Sequence, residues 1–369
     1  MDSSTFHVPG PGPYLLTHSV GCLPRAVQAA LTQKYFAPWE ARGGNAWPDW
    51  LREVDGFRAA LASLLGGTPA DYCPQTNLSS GLVKFLDALP PSPRRVLLAA
   101  EDSFPSMGFV LRQAERRGFT LRLIPRARLP DDPRTWSEAL TEEVRAVLVT
   151  HVHSNTGRVA PVAEIARLCA ERDILCVADV AQSAGILPLD CATLGADVVL
   201  GSCIKWLCGG PGAGWMWIRR SLLPTLEPND VGWFSHANPF EMDIHRFEYA
   251  PDARRFWGGT PQVASLIVAA ASLTQLKALG VERIHAHNLR LMEVFREGLP
   301  AAWRARLPSW PTGGTLCLPL GADFDAVTRA LAAIGAQFDT RGDVLRMSFH
   351  ACNTDDDAAR VARAFRGDL

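Results

Sequence analysis

Residues 174–218 read ILCVADVAQSAGILPLDCATLGADVVLGSCIKWLCGGPGAGWMWI. Three short apolar runs, ILCVA, DVVLG and GWMWI, are punctuated by polar and glycine-rich connections, which is a strand pattern. Just before them, Pro161 to Arg172 reads as a helix, with Val162, Ile165, Ala166, Leu168 and Cys169 on one side and Pro161 suited to its first turn. Further toward the N-terminus the runs RRVLLAAED, TLRLIPRA and RAVLVTHVH repeat the strand signal. Strand alternating with helix implies an α/β chain with a mainly parallel sheet.

The texture changes after Gly259 to long helical patterns, Pro261 to Leu279 and Val281 to Leu299, followed by the break LPSWPTGG. The tail then reads as a strand (Thr315 to Leu318), a helix (Asp323 to Ile334), two short strands ending in VLRMSF, and a last helix from Asp355 to Phe365. This is a smaller α+β unit. The 369 residues agree with two or three domains at about 100 to 200 residues each. Boundaries are expected at 1–44, 45–255 and 256–369.

Lys and Arg total 37 against 38 Asp and Glu, with no basic block or acidic tail, so nucleic acid and anionic membrane are not the expected partners. The start MDSSTFHVPGPGPYLLTH lacks a basic segment followed by an apolar run, and no apolar stretch elsewhere is long enough to span a bilayer. Nine cysteines, without a CxxC pair and without zinc-like spacing among Cys169, Cys176, Cys191, Cys203 and Cys208, suit reduced, mostly buried thiols in a cytoplasm.

In an open parallel sheet, ligands bind beyond the carboxyl ends of the strands, where loops and helix N-termini converge. The residues expected there are Phe104, His151 to Gly157, Asp179 and Gln182, and Ser202 to Lys205. Lysines are scarce, and Lys205 stands between an apolar strand and CGGPGAG. A partly buried amine of lowered pKa is what Schiff-base chemistry requires, and an Asp at the preceding strand end suits a protonated pyridine nitrogen. Taken alone, Lys205 reads equally well as a solvated loop lysine, and QTNLSS as an ordinary helix cap.

These motifs together carry a resemblance. DVAQSAG (Asp179 to Gly185), then PLD, then GADVVLGSCIKWLCGGPGAGW resembles the class V aminotransferase superfamily of pyridoxal phosphate enzymes, and kynureninase in particular. The resemblance implies the fold type I transferase architecture, with a seven-stranded, mainly parallel sheet and a small α+β C-terminal domain. It implies pyridoxal 5'-phosphate on Lys205, with Asp179 and Gln182 in catalytic roles. PQTNLSSGL places Thr76 and Asn77 at the phosphate loop, SFPSMGF places Phe104 as the stacking aromatic, and THVHSNTGR places Thr156 and Asn155 in the site. Ser202 joins the phosphate ligands, Trp233 in GWFSHANPF and Thr260 in RRFWGGTP fall where subunits share the cofactor, and a homodimer is therefore implied. HSVG (His18 to Gly21) places Ser19 on the substrate side, contributed by the N-terminal segment. DVLRMSF places Arg346 at the substrate carboxylate, and strand alternation sets Val344, Arg346 and Ser348 opposite Leu345, Met347 and Phe349.

The departures bear on the reaction. Ile204 stands where kynureninase has a tyrosine beside the lysine, Met107 where it has an aspartate, and Gln182 where it has a histidine. Cofactor binding survives these changes, and they leave aminotransferase or lyase chemistry on a small α-amino acid as the expectation, with true kynureninase as the alternative. Cysteine desulfuration needs a mobile thiol, and FDTRGDVLR carries none. A zinc hydrolase built on His151 and His153 lacks a further ligand in the sequence, and a catalytically silent binding protein has no need of Lys205, Asp179 and Arg346 together.

Overall fold

The apolar runs become strands whose side chains alternate between two cores rather than between core and water. In the computed structural model, which describes residues 1–366, Leu98 and Ala100 join one core with Val147, Val149, Cys176 and Ala178. The intervening Leu97 and Ala99 join the other, with Ala146, Leu148, Val177 and Leu200.

The chain opens with a small antiparallel pair, β1 (Phe6–His7) and β2 (Leu23–Pro24). The large sheet holds β3 (Tyr72–Gln75), β4 (Val96–Ala100), β5 (Thr120–Ile124), β6 (Val144–Thr150), β7 (Leu175–Asp179), β8 (Val198–Ser202) and β9 (Gly214–Ile218). Their order is β3-β9-β8-β7-β6-β4-β5. The strands β4 to β8 run parallel, and β9 is antiparallel to both of its neighbours. The sheet is thus the seven-stranded one the resemblance implies. Sequence reading alone does not announce β3: it is four residues long, contains Pro74, and is confined to the sheet's edge, where a missing donor is tolerated.

Antiparallel β10 (Thr315–Pro319), β11 (Asp339–Arg341) and β12 (Val344–Ser348) form a second sheet in the order β10-β12-β11. Its core joins Leu316, Leu318, Leu345, Met347 and Phe349 to Leu291 and Phe295 of the helix Val281–Gly298. The preceding helix, Val263–Leu279, instead packs on the helices Ala26–Leu31 and Trp47–Leu65 and buries Leu266, Ile267, Leu273 and Leu276 in the core they share with the large sheet. Packing therefore divides these bodies near Gly280, whereas the change in sequence texture comes at Gly259. The N-terminal segment straps onto the small sheet: the Leu15 amide donates to Gln337 O (2.8 Å), and the Ser348 amide donates to Leu15 O (3.0 Å).

Because β4 to β8 are parallel, Ala100, Thr150, Asp179 and Ser202 all end at one edge of the sheet. There they meet Gln75, the last residue of β3, and Gly214, the first of β9, which pair with each other.

Candidate active site

A cavity of about 200 Å³ opens at this edge, lined by Asn77, Phe104, Asp179, Gln182, Ser202 and Lys205 among others. Asn77 caps the helix Leu78–Asp87, its side chain accepting from the Ser80 amide at 2.9 Å. The Leu78 and Ser79 amides belong to the first turn, which an α-helix leaves without intrahelical acceptors. Gly214 lets β9 approach that turn: a Cβ there would lie 2.8 Å from Asn77 Cα. The arrangement of free amides, a capping side chain and the nearby Ser202 hydroxyl suits a phosphate.

Lys205 follows β8 on a tight turn, in which the Cys208 amide donates to Lys205 O (2.8 Å) and Cys208 itself has a positive φ of 51°. Its Nζ lies 5.4 Å from the centre of the Phe104 ring. Burial lowers the Lys205 pKa, while the Asp179 carboxylate opposes that shift. Asp179 is buried, and burial raises its pKa against the Ala181 amide, which donates to Oδ1 at 2.9 Å. Among the described residues no donor reaches Oδ2, so this carboxylate is suited to a buried cationic partner. Gln182 is held at both ends of its amide, donating to His18 O (3.0 Å) and accepting from Trp206 Nε1 (3.0 Å). One Nε2 hydrogen remains for the cavity.

The rest of the lining is uncharged: Leu78, Ser79, Ser106, Met107, Thr150, Val152, Ser154, Ala181 and Ile204. Ser154 falls within the expected 151–157 stretch, whereas sequence reading did not single out Thr150 or Ser106, whose signal is their place at a strand end and at the start of a helix.

Several residues expected in the site lie elsewhere in this chain. Trp233 packs edge-on against Trp47, Phe234 and Phe240, and Thr260 lines a recess with Tyr35, Trp39, Trp47 and Trp50; neither lines the Lys205 cavity. Thr76 and Thr156 adjoin the cavity without lining it, and the Thr156 hydroxyl accepts from the Arg158 amide at 3.2 Å. The Ser19 amide donates to Leu16 O (2.7 Å), and Gly21 seats this loop on the lysine turn, its amide donating to Ile204 O (2.8 Å). A Cβ on Gly21 would meet Lys205 O at 2.3 Å. His151 and His153 diverge, the former to Ser183 (2.9 Å) and the latter to Asp102 (3.1 Å), so they do not form a joint ligand pair.

Arg346 is paired within the hairpin. It does turn away from the core of Leu345, Met347 and Phe349, but the carboxylate it grips is the protein's own. Arg346 Nε donates to Asp339 Oδ1 at 2.9 Å, a second, shorter contact joins Nη2 to Oδ2, and Nη1 donates to Ser154 O at 3.2 Å. His18 Nε2 lies 3.2 Å from the same Asp339. Arg341, on the same face of β11 as Asp339, contacts Ser154 Oγ (3.0 Å) and Asn155 Oδ1. Asp339 and Arg341 alternate along FDTRGDVLR, and Asp339 pairs in register with Arg346; the alternation was the signal available in the sequence.

Comparison with known proteins identifies the family. The family Aminotransferase class-V matches residues 93–316. Kynureninase of Deinococcus radiodurans is 34% identical over 299 residues, covering 79% of this chain and 72% of that protein. The uncharacterized aminotransferase YcbU of Bacillus subtilis is 28% identical, covering 74% of each. Among solved structures, the cystine C–S lyase C-DES in complex with its reaction product cysteine persulfide superposes with a TM-score of 0.86 at 23% identity, covering 96% of this chain and 97% of that one, a likeness of fold. The chain belongs to the class V aminotransferase family of pyridoxal-phosphate-dependent enzymes, in its kynureninase-like branch.

Proposed function

We propose that the protein acts on a small α-amino acid by transamination or by an elimination of the lyase type, with the cofactor carried on Lys205. The observation that carries this reading is the poverty of the cavity in ionisable groups: among the residues that line it, only Lys205 and Asp179 titrate. The residues fit pyridoxal phosphate, through the free amides at Leu78 and Ser79, the Ser202 hydroxyl, the Phe104 ring and the half-satisfied Asp179 carboxylate. When bound, that cofactor supplies an electron sink for negative charge developing on the substrate.

The chain's own groups then divide the work. Asp179 holds a positive charge at the base of the cavity, where burial strengthens the interaction. Lys205 is the amine placed to carry a proton to and from the substrate's α-carbon, and its lowered pKa keeps a fraction of it unprotonated for that purpose. Phe104 offers the cavity a ring face, and Gln182 offers its remaining amide hydrogen. Asn155, Ser19 and the arginines of the β11–β12 hairpin frame the carboxylate end of the substrate. Met107 and Ile204 exclude water without offering a proton.

Transamination and elimination need one mobile proton carrier, whereas hydrolytic cleavage of a carbon–carbon bond also needs water activated and a carbanion protonated by a separate group. The kynureninase relatives favour that second reading, and the apolar Ile204 and Met107 weigh against it. Screening the purified holoenzyme against an amino-acid and keto-acid panel, with kynurenine included, tests the choice. Kynurenine as the best substrate would overturn the proposal.

A second copy of the chain belongs to this reading. Phe36 and Trp39 are each 50% exposed, Met242 is 74% and Ile244 is 91%, and Trp233 and Thr260 lie on the same aromatic side rather than at Lys205. A homodimer in which these residues reach the neighbour's cofactor accounts for both facts. Sedimentation of the holoenzyme as a monomer would contradict it.

A further inference from the structure

At the edge of the large sheet opposite Lys205, we infer a binding site for a diphosphate group, free or carried by a nucleotide, built around Arg145. There the chain enters β4, β5 and β6, and a recess of about 200 Å³ is lined by Arg94, Arg95, Arg117 and Arg145 together with Ser92 and Asn229. The proposed reaction uses none of these residues, since the Lys205 cavity lies beyond the other ends of the same strands.

Arg145 is aimed into the recess by an irregularity in the sheet. Val96 of β4 pairs with Val144 but Leu97 pairs with Ala146, so Arg145 is an extra residue without a partner on β4. The two cores record the same shift: Val144 joins one and Ala146 the other, although residues two apart on a regular strand share a face. A bulge of this kind re-aims a side chain and is rare between parallel strands. The result is a half-buried guanidinium without a hydrogen-bond or ion-pair partner among the described residues. Burial lowers its pKa, Asp173 opposes the shift, and the Arg94 and Arg95 charges add to it.

The other three arginines leave that charge uncompensated. Arg94 spends Nη1 on two neutral carbonyls, Arg172 O (2.8 Å) and Asp173 O (2.7 Å). Arg95 is exposed, and its side chain has no partner among the described residues. Arg117 alone meets a carboxylate, that of Asp87. Four guanidiniums against one carboxylate in the lining leave a surplus of three positive charges. A single carboxylate compensates one of them, whereas a diphosphate carries charge enough for the set and accepts the bidentate pairing that guanidiniums make.

Neutral donors complete the recess. Ser92 Oγ accepts from the Arg94 amide at 3.2 Å, which leaves its hydroxyl hydrogen to donate. Asn229 Nδ2 donates to Asp87 O at 3.3 Å and keeps a second hydrogen. Pro90, Pro91 and Pro93 restrict the loop that carries Ser92, Arg94 and Arg95, so little order has to be gained on binding. The basic residues form one recess rather than a stripe, in a chain of 37 Lys and Arg against 38 Asp and Glu, which suits a small anion and not a nucleic acid.

Calorimetric titration of the holoenzyme with inorganic pyrophosphate at physiological ionic strength tests this with the Lys205 cavity already filled by its cofactor. One site is expected, with no change in the cofactor's absorption. Arg145→Gln should weaken binding by about tenfold or more, as for loss of one charged hydrogen-bonding group. Arg95→Gln should weaken it similarly, and because that side chain is exposed and holds nothing else, the variant should fold even if the bulge residue proves necessary to the sheet. Arg116→Gln, at an exposed neighbour outside the recess, should keep the wild-type affinity. ADP binding more tightly than pyrophosphate would assign the diphosphate to a nucleotide, and weaker binding would assign it to the free anion. Absence of binding by wild type, unchanged affinity in both Arg145→Gln and Arg95→Gln, or an equal loss in Arg116→Gln would overturn the inference. So would a short RNA that binds more tightly than pyrophosphate.

Discussion

The Lys205 cavity and the β11–β12 hairpin meet at Ser154 but solve opposite electrostatic problems. In the cavity, ionisable groups are few, buried and under-partnered, and burial moves their pKa values toward neutrality: Lys205 downward, Asp179 upward. In the hairpin, Asp339 and Arg346 are paired with each other, and the hydrogen bonds from His18 and Arg346 hold Asp339 below the ordinary carboxylate range despite burial. Groups poised in the first way can exchange protons, while groups locked in the second way can only recognise charge. On the proposed reading, reaction belongs to the large sheet and recognition of charge to the small one.

The largest effect that would break this division is at Lys205. Replacing it with alanine removes the cavity's only amine, and turnover should fall by at least the hundred- to ten-thousand-fold typical of a positioned acid–base group. Borohydride treatment of the wild-type holoenzyme should leave the reduced cofactor on the peptide that contains Lys205. Its recovery on another lysine would remove the cavity from the chemistry.

Asp179→Asn should cost turnover about a hundredfold, as for loss of one preorganised electrostatic contact, yet should not destabilise the fold. The sign follows from its raised folded-state pKa. Below about pH 4 the carboxyl is protonated whether the chain is folded or not, and no penalty applies. As pH rises from the unfolded-state pKa toward the lifted one, the unfolded chain ionises more readily, and stability is lost. Cofactor-free Asp179→Asn should therefore gain on wild type in thermal unfolding as pH rises above about 4. A difference that shrinks over that interval would show that the carboxylate is well partnered after all.

How legible these two regions were differs for the same physical reason. The cavity could be read from the sequence because a parallel sheet delivers strand ends to one edge, so Phe104, Asp179, Gln182, Ser202 and Lys205 announce themselves by following apolar runs. The six longer strands were legible in the same way, whereas β3, short and proline-bearing, was not. The hairpin was only half legible. Alternation placed Arg346 on the correct face, but which carboxylate it would meet depends on the register of β11 against β12, and register is fixed by a turn at Gly342 and by packing that no local pattern encodes. Trp233 and Thr260 were legible only through resemblance, since nothing within one chain brings them to the cavity.

Arg346→Leu tests the locked character of the hairpin. It leaves Asp339, 29% exposed, without its bidentate partner, and the loss should be about 2 kcal/mol in unfolding free energy. Lys205→Ala should show no such loss, because burial already disfavours its charge. Equal stability of wild type and Arg346→Leu would mean that the ion pair is dispensable to the fold and free to open for a ligand.

The smallest effect, and the one that speaks most directly to the reaction, is expected from Ile204→Tyr. Ile204 lines the cavity beside Lys205, and its backbone oxygen is fixed by the Gly21 amide at 2.8 Å, so a larger side chain there inherits a defined position. A phenol at this place adds a proton donor to a cavity whose remaining titratable groups are Lys205 and Asp179. A fully positioned acid–base group is worth about a hundred- to ten-thousand-fold, but a phenol introduced without the aspartate and histidine that accompany it in kynureninase, where this chain has Met107 and Gln182, is only partly oriented. The gain in kynurenine cleavage, followed as anthranilate release, should therefore be at most about tenfold. Transamination or elimination by the same variant should change little, since both use the Lys205 amine that the substitution leaves in place. If wild type already cleaves kynurenine at an ordinary enzymatic rate and Ile204→Tyr adds nothing, proton delivery in this cavity does not depend on a group beside the lysine. The separation between a proton-poor cavity and a charge-rich hairpin would then cease to define the reaction.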